Sequence, residues 1–214
     1  MNLNHIEKFL VDKNVLEIGG PSGLLHFIYN KLKSFDVLNI PISMEKHSQV
    51  GKINGTMYLG DATEHSHLKK INKKYDVIIT SHTLEHIANP IKALSMWGEL
   101  LVEKGAIINI LPNKNCCWDR NRDYISFEHL LNDFSTNISE NDLTHLHESS
   151  CMIETRPGYY DDVGKDNSSR IIHHHCFNVD TLKKTHEFDN MFHTECCYIA
   201  DDDNLQLIYV GRKK

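Results

Sequence analysis

The chain has 214 residues, of which 40% are hydrophobic, enough for one globular domain that folds without disulfides or a structural metal. It carries 23 basic against 29 acidic residues, a formal charge of −6, and no basic stretch, which argues against a nucleic-acid partner. Six cysteines show no CxxC spacing, so we expect reduced thiols. With no apolar run near the ~20 residues that span a bilayer and no signal-peptide core, we expect a cytoplasmic protein without a membrane partner.

The first half of the chain alternates between strand and helix patterns. An apolar run over 14–18 stops at the glycine-rich turn 19–23, and apolar residues at helical spacing then predict a helix over 24–32. Branched residues predict further strands, and helical spacing returns after Asn89-Pro90. These elements are strands over 35–40, 57–59, 75–80 and 106–111 and a helix over 91–101.

The second half begins with a polar, histidine-bearing stretch over 113–172, in which short helices are predicted over 126–134 and 140–148. A helix over 178–189 and a hairpin of strands over 192–199 and 205–210 close the chain. Repeated β-α units predict a doubly wound, Rossmann-like α/β fold in one domain, 1–214. We expect a seven-stranded, mainly parallel sheet with an antiparallel C-terminal strand, and a histidine-rich insertion or lid after the fifth strand.

The glycine turn lies where such sheets bind ligands, outside the carboxyl ends of the strands. Its glycines allow close backbone approach, and the helix start that follows favours a carboxylate or phosphate. The spacing E-I-G-G-P-S-G is not G-x-G-x-x-G, so a hydride-transferring dinucleotide site fits poorly. A plain strand-to-helix turn without a ligand is the alternative.

Four motifs in register resemble class I S-adenosylmethionine-dependent methyltransferases. They are Val15 to Gly23, Gly60-Asp61-Ala62, Tyr75 to Ile78 leading into Ser81 to His86, and Asn89-Pro90. Later segments resemble an inserted region of bacterial methyltransferases associated with surface-glycan synthesis. These are Phe127 to Leu131, Glu140 to Asp142, Thr144 to Glu148, and His173 to Phe177.

The resemblance implies a set of residues that hold S-adenosyl-L-methionine. The turn and Glu17 would meet its methionine part, Asp61 and Ala62 its adenine, and Ser81 and His82 the sulfonium and the acceptor. The full set is Glu17, Gly19, Gly20, Ser22, Gly23, Asn39, Asp61, Ala62, Ser81 and His82. Asn39 departs from the pattern, because the family carries an acidic residue there for the ribose hydroxyls; an amide can still accept one such bond.

A sugar hydroxyl needs a base to take its proton, and histidine suits that task near neutral pH. The candidates are His145, His147, His174 and His175. Structural hydrogen bonds are an equal alternative for any one of them. The spacing matches no zinc signature, so we predict no metal ligands; a divalent metal held by histidines with Asp142 or Glu148 is the less favoured reading.

The function that these patterns predict is O-methylation of a sugar hydroxyl, in a nucleotide-sugar or surface-glycan (capsule or O-antigen) pathway. The partner would be the sugar or nucleotide-sugar acceptor, and a homodimer stays open. The alternatives are a methyltransferase for another small molecule or for nucleic acid, and a non-catalytic module that retains the fold.

Overall fold

The computed structural model describes residues 4–41, 54–148, 167, 170–200 and 204–214. Within them, seven strands form one sheet in the order β3-β2-β1-β4-β5-β7-β6. The strands are β1 (Asn14–Ile18), β2 (Ser34–Asn39), β3 (Met57–Leu59), β4 (Tyr75–Ser81), β5 (Leu101–Pro112), β6 (Phe192–Ile199) and β7 (Gln206–Lys213). The first five pair in parallel, whereas β7 runs antiparallel to both β5 and β6. The predicted fold class is confirmed.

Helices cover both faces of this sheet because successive strand side chains point to opposite sides. In β4, Val77 and Ile79 enter the apolar layer beneath α1, while Ile78 enters the layer on the other face. That second layer contains residues of the remaining helices. The helices are α1 (Asn4–Leu10), α2 (His65–Leu68), α3 (Pro90–Glu99), α4 (Phe127–Thr136) and α5 (Val179–Glu187).

Local capping explains why three of these helices begin where they do. The Asn89 side chain accepts from the Lys92 N–H at the start of α3, with Pro90 in the first turn. Ser126 caps α4 in the same way, and Asn178 opens α5 with a capping box. The sequence analysis predicted all three helices.

Two helix predictions were wrong. Over 24–32 the chain forms 3-10 turns, Gly23–Leu25 and Tyr29–Lys31, because no side chain caps the start of either turn. Over 140–148 only the 3-10 turn Leu146–Glu148 forms. There the Asp142 carboxylate accepts from the Thr144 N–H and hydroxyl, a local bond that competes with helix.

A buried polar chain crosses the sheet between β4, β5 and α5. The Thr80 hydroxyl donates to Asn109 Oδ1 at 2.6 Å, and the Asn109 amide donates to His186 Nε2 at 2.5 Å. His186 Nδ1 donates to the Leu182 carbonyl at 2.8 Å, and its ring stacks on Tyr209. Each side chain that donates a hydrogen bond in this buried network therefore has an acceptor.

The predicted insertion over 113–172 is described in part. The described part runs from residue 113 to residue 148 and includes α4. It resumes at residue 167 and again from residue 170 onward. Residues 149–166 and 168–169 lie outside the described residues, so an insertion or lid stays a prediction. Among the helices that the model does describe, none is long and apolar enough to cross a bilayer.

Candidate active site

A cavity opens at the carboxyl ends of β1, β2, β3 and β4, the edge where a doubly wound sheet binds ligands. We call it the strand-end cavity. Its polar lining includes Asn39, Asp61, His82, His86 and Arg170.

Gly19 forms the floor of this cavity, and only glycine fits there. Its φ is +84°, and a Cβ at this position would lie 2.1 Å from Thr83 Oγ1. Both the backbone angle and the close packing against Thr83 therefore require glycine at the end of β1.

Asn39 fixes the glycine turn, which gives the amide a role that a carboxylate could not fill. Its Nδ2 donates to the carbonyls of Gly19 and Gly20 at 3.1 and 2.7 Å, while its Oδ1 accepts from the Ile40 N–H. A carboxylate has no hydrogen to donate to two carbonyls. The departure from the family pattern thus serves the turn.

Glu17 lies behind the turn and is fully buried. It accepts from the Ser22 N–H at 3.2 Å, and burial raises the pKa of its carboxyl to about 7 against these hydrogen bonds. A Cβ on Gly20 would lie 2.2 Å from Glu17 Oε2, so glycine is required there too. Glu17 supports the turn from below and does not line the strand-end cavity.

Asp61 lines the cavity after β3 and is paired with Arg170, a residue that the sequence analysis missed. Arg170 Nη2 lies 2.7 Å from Asp61 Oδ2, and the Thr63 N–H and hydroxyl donate to Oδ1. Burial raises the pKa of Asp61, but these bonds and the arginine charge outweigh it and the net shift is down. No local signal reveals the pair, because 109 residues separate the partners.

Acidic and imidazole side chains adjoin the cavity beyond the end of β4. This cavity-side group consists of His82, Glu85, His86, Asp119 and His173. His82 and His86 line the cavity, and the His86 ring lies edge-on to His173 with 4.5 Å between centroids. His173 Nδ1 is 2.5 Å from Asp119 Oδ2.

Charge partners set the protonation of the cavity-side group. Burial lowers the pKa of His173, yet the hydrogen bond and charge of Asp119 reverse this and the net shift is up. Arg122 also pairs with Asp119 at 2.9 Å, and the pKa of Asp119 falls despite burial. Burial raises the pKa of Glu85, whose two oxygens have no hydrogen-bond partner, and lowers that of His86 to about 3.

The predicted cofactor residues fall into two sets. The members that line the strand-end cavity are Gly19, Asn39, Asp61, Ala62 and His82. The members that do not line it are Glu17, Gly20, Ser22, Gly23 and Ser81. Several of the second set build the turn or the strand end beneath the first.

The predicted catalytic histidines do not line the strand-end cavity. His147 is exposed, while His145, His174 and His175 are buried. His145 and His175 meet His129 and Asp133 of α4 in what we call the helix-side group. Burial lowers the pKa of His174 and His175, which weakens them as bases. Their catalytic role stays a prediction.

Comparison with known proteins identifies the class. A family model described as a methyltransferase domain matches residues 3–150, and the chain belongs to that family. The predicted methyltransferase class is confirmed at the level of the domain family. No curated protein matches the chain.

Solved structures share the fold at low identity. CalH, crystallised with S-adenosylhomocysteine, has a TM-score of 0.58 and 13% identity over 99% of this chain and 54% of its own. The N-methyltransferase NodS from Bradyrhizobium japonicum, also with that product, gives 0.54 and 11% over 97% and 81%. The CurJ carbon methyltransferase gives 0.55 and 16% over 97% and 50%. The chain thus spans about half the length of CalH and CurJ.

The residues present fit a sulfonium nucleoside in the strand-end cavity. Gly19 brings the backbone to the cavity wall, and Asn39 and Asp61 place polar side chains at two neighbouring strand ends. Arg170, which lines the cavity, has its Nη1 buried without a hydrogen-bond partner, as a group that awaits a polar ligand would.

Proposed function

We propose that the protein methylates a sugar hydroxyl, on a nucleotide sugar or a surface glycan, with S-adenosyl-L-methionine as the methyl donor. The observation that carries the proposal is the cavity-side group: imidazole rings border the strand-end cavity, where an acceptor hydroxyl would lie. The segments that resemble glycan-associated methyltransferases, among them His173 to Phe177, support the sugar acceptor.

The chain's own residues would bind and orient the nucleoside. The turn at Gly19 would meet its amino-acid part, and Asn39, Asp61 and Ala62 its ribose and adenine. When bound, the nucleoside supplies a methyl group on a positively charged sulfur, which an oxygen can take. The protein's main tasks are then alignment and exclusion of water.

In this proposal His82 accepts the hydroxyl proton. Its Nε2 lies 2.7 Å from Gln206 Oε1, an acceptor, so Nε2 carries the hydrogen and Nδ1 of the neutral ring has a lone pair. The ring lines the cavity and is 42% exposed, and buried Glu85 lies 3.9 Å from Nδ1. As the new C–O bond forms and the methyl–sulfur bond breaks, the demethylated nucleoside would leave as a neutral thioether. The hydroxyl proton would pass to His82 Nδ1, and nearby Glu85 would stabilise the charged ring.

The experiment has two readouts. Calorimetry measures binding of S-adenosylmethionine and its demethylated product, and methyl-labelled donor is offered to nucleotide sugars, a phenol and RNA in parallel. We expect binding and label in a nucleotide sugar. Label only in the phenol or RNA would refute the sugar acceptor, while absence of binding would refute the cofactor assignment.

Two of the four histidines predicted from the sequence are tested in the same assay. His145→Asn and His174→Asn are compared with His82→Gln at saturating donor. A larger loss of turnover in either of the first two, with donor affinity and folding intact, would move the base away from His82.

A further inference from the structure

The helix-side group brings together side chains from three separate segments. His129 and Asp133 lie on α4, His145 precedes the turn Leu146–Glu148, and His175 lies in the extended chain before α5. One ring nitrogen from each of the three histidines lies within 4.8 Å of the other two. Asp133 Oδ2 lies 3.0 Å from His175 Nε2 and 3.3 Å from His129 Nε2.

The hydrogen bonds of this group fix the position of one proton. His175 Nδ1 lies 3.1 Å from the Ile87 carbonyl, which only accepts, so Nδ1 carries the hydrogen. In the neutral ring, Nε2 then directs a lone pair at the Asp133 carboxylate, and the pair is buried. Two electron-pair donors at this distance require a proton or a cation between them.

His145 adds a second unpartnered atom. Its Nδ1 is buried, and beside it is Glu148, a half-exposed acid whose Oε2 is 3.0 Å away without an assigned hydrogen bond. The His145 ring centroid lies 5.1 Å from that of His129 and 5.7 Å from that of His175. Protonating all three rings would set like charges side by side in a largely buried site.

We propose that His129, Asp133, His145 and His175 bind a structural Zn²⁺ ion. Three imidazoles and one carboxylate are a closed four-ligand set for zinc, and bonds of about 2.0–2.1 Å in a tetrahedron put ligand atoms about 3.4 Å apart. The two measured contacts to Asp133, 3.0 and 3.3 Å, are close to that spacing.

The surroundings resemble the outer shell of a zinc site. Ligating histidines donate their second ring N–H to a carbonyl or carboxylate, as His175 does to Ile87. The ion would tie α4 to the extended segment that carries His173, and so hold the cavity-side group in place. The site departs from our expectation of no metal ligands, and it does not depend on the proposed reaction.

The test uses the untagged full-length protein. We expect elemental analysis to find one equivalent of zinc, cobalt(II) to give the visible spectrum of a tetrahedral ion, and chelation to lower the melting temperature. His129→Asn, at the most exposed ligand, should weaken zinc binding by more than ~10-fold, whereas exposed His193→Asn should match the wild type. Equal zinc binding by His129→Asn and wild type, or none by either, would overturn the proposal.

Asp133→Asn separates a metal ion from a shared proton. An amide N–H can donate to neutral His175 Nε2, so if a proton fills the site the variant folds as stably as the wild type. If zinc fills the site, the variant loses metal and its melting temperature no longer responds to a chelator. A stable, chelator-insensitive variant beside a wild type that is equally chelator-insensitive would refute the zinc site.

Discussion

The cavity-side group and the helix-side group differ in how their polar atoms are paired. Around the strand-end cavity most donors meet an acceptor: His82 bonds Gln206, His173 bonds Asp119, and Asn39 bonds two carbonyls of the turn. In the helix-side group, two imidazoles contact one carboxylate, His175 at 3.0 Å and His129 at 3.3 Å from Asp133 Oδ2. Histidine density alone therefore does not locate catalysis, because we propose a proton-handling role for the first group of histidines and a cation site for the second.

The largest expected effect is on the turnover of a variant at His82, the proposed acceptor of the hydroxyl proton. We expect His82→Gln to lower kcat by ~10²–10⁴-fold, the usual contribution of a general base. The affinity for S-adenosylmethionine should change little, since His82 is only one of the residues that line the cavity. Steady-state kinetics with calorimetry measure both, with His193→Gln as control; unchanged kcat would remove His82 from the reaction.

Replacing Asp119 tests whether the cavity-side group depends on the carboxylate that pairs with Arg122 and His173. Asp119→Ala leaves Arg122 and His173 without their shared partner in a buried position, so we expect a loss of about 3–5 kcal/mol in the free energy of unfolding. Glu148 pairs with the same arginine but is 48% exposed, and Glu148→Ala should cost about 1 kcal/mol or less. Urea titration compares them, and equal losses would contradict the buried role of Asp119.

The buried carboxyl of Glu17 should make the free energy of unfolding depend on pH. Its carboxyl has a pKa of about 7 in the folded chain against 4.5 unfolded, so the folded state binds more protons between these values. The free energy of unfolding should therefore fall as pH rises through that window, by roughly 3 kcal/mol from this group. Glu140, also raised to about 7, adds a similar slope.

The measurement is the difference between variants. Urea titrations from pH 5 to pH 8 should show a shallower decline for Glu17→Gln than for wild type, whereas Glu103→Gln, at an 84% exposed side chain, should follow the wild type. Parallel curves for all three proteins would mean that Glu17 ionises normally.

The smallest expected effect is at Asn39. Asn39→Asp removes two bonds donated to the turn and directs a carboxylate at two carbonyls, so we expect the free energy of unfolding to fall by about 1–3 kcal/mol. Donor affinity should fall with it. Thermal melts and calorimetry would measure both; tighter donor binding would show that ribose contact outweighs the turn.

The sequence predicts the sheet because its signals are local. Branched runs such as 75–80 and the caps at Asn89, Ser126 and Asn178 each act within a few residues. The glycine turn also has a local signature, although the helix predicted after it does not form, because Ser22 makes no side-chain cap there.

The pairings of the candidate site are long-range and have no such signature. Arg170 meets Asp61, and His173 meets Asp119, across 109 and 54 residues. One signal was present: His129 and Asp133 stand four residues apart, on one face of a predicted helix. Spacing could have found two of the four proposed zinc ligands, but not His145 or His175.

The polar chain from Thr80 through Asn109 to His186 also governs assembly of the sheet. Thr80 and Asn109 are direct partners in the pairing of β4 with β5. Sliding either strand by one residue would rotate its polar side chain to the opposite face and strand the imidazole of His186 among apolar neighbours. These buried hydrogen bonds therefore disfavour a shifted pairing of the two strands, which aliphatic side chains alone would disfavour less.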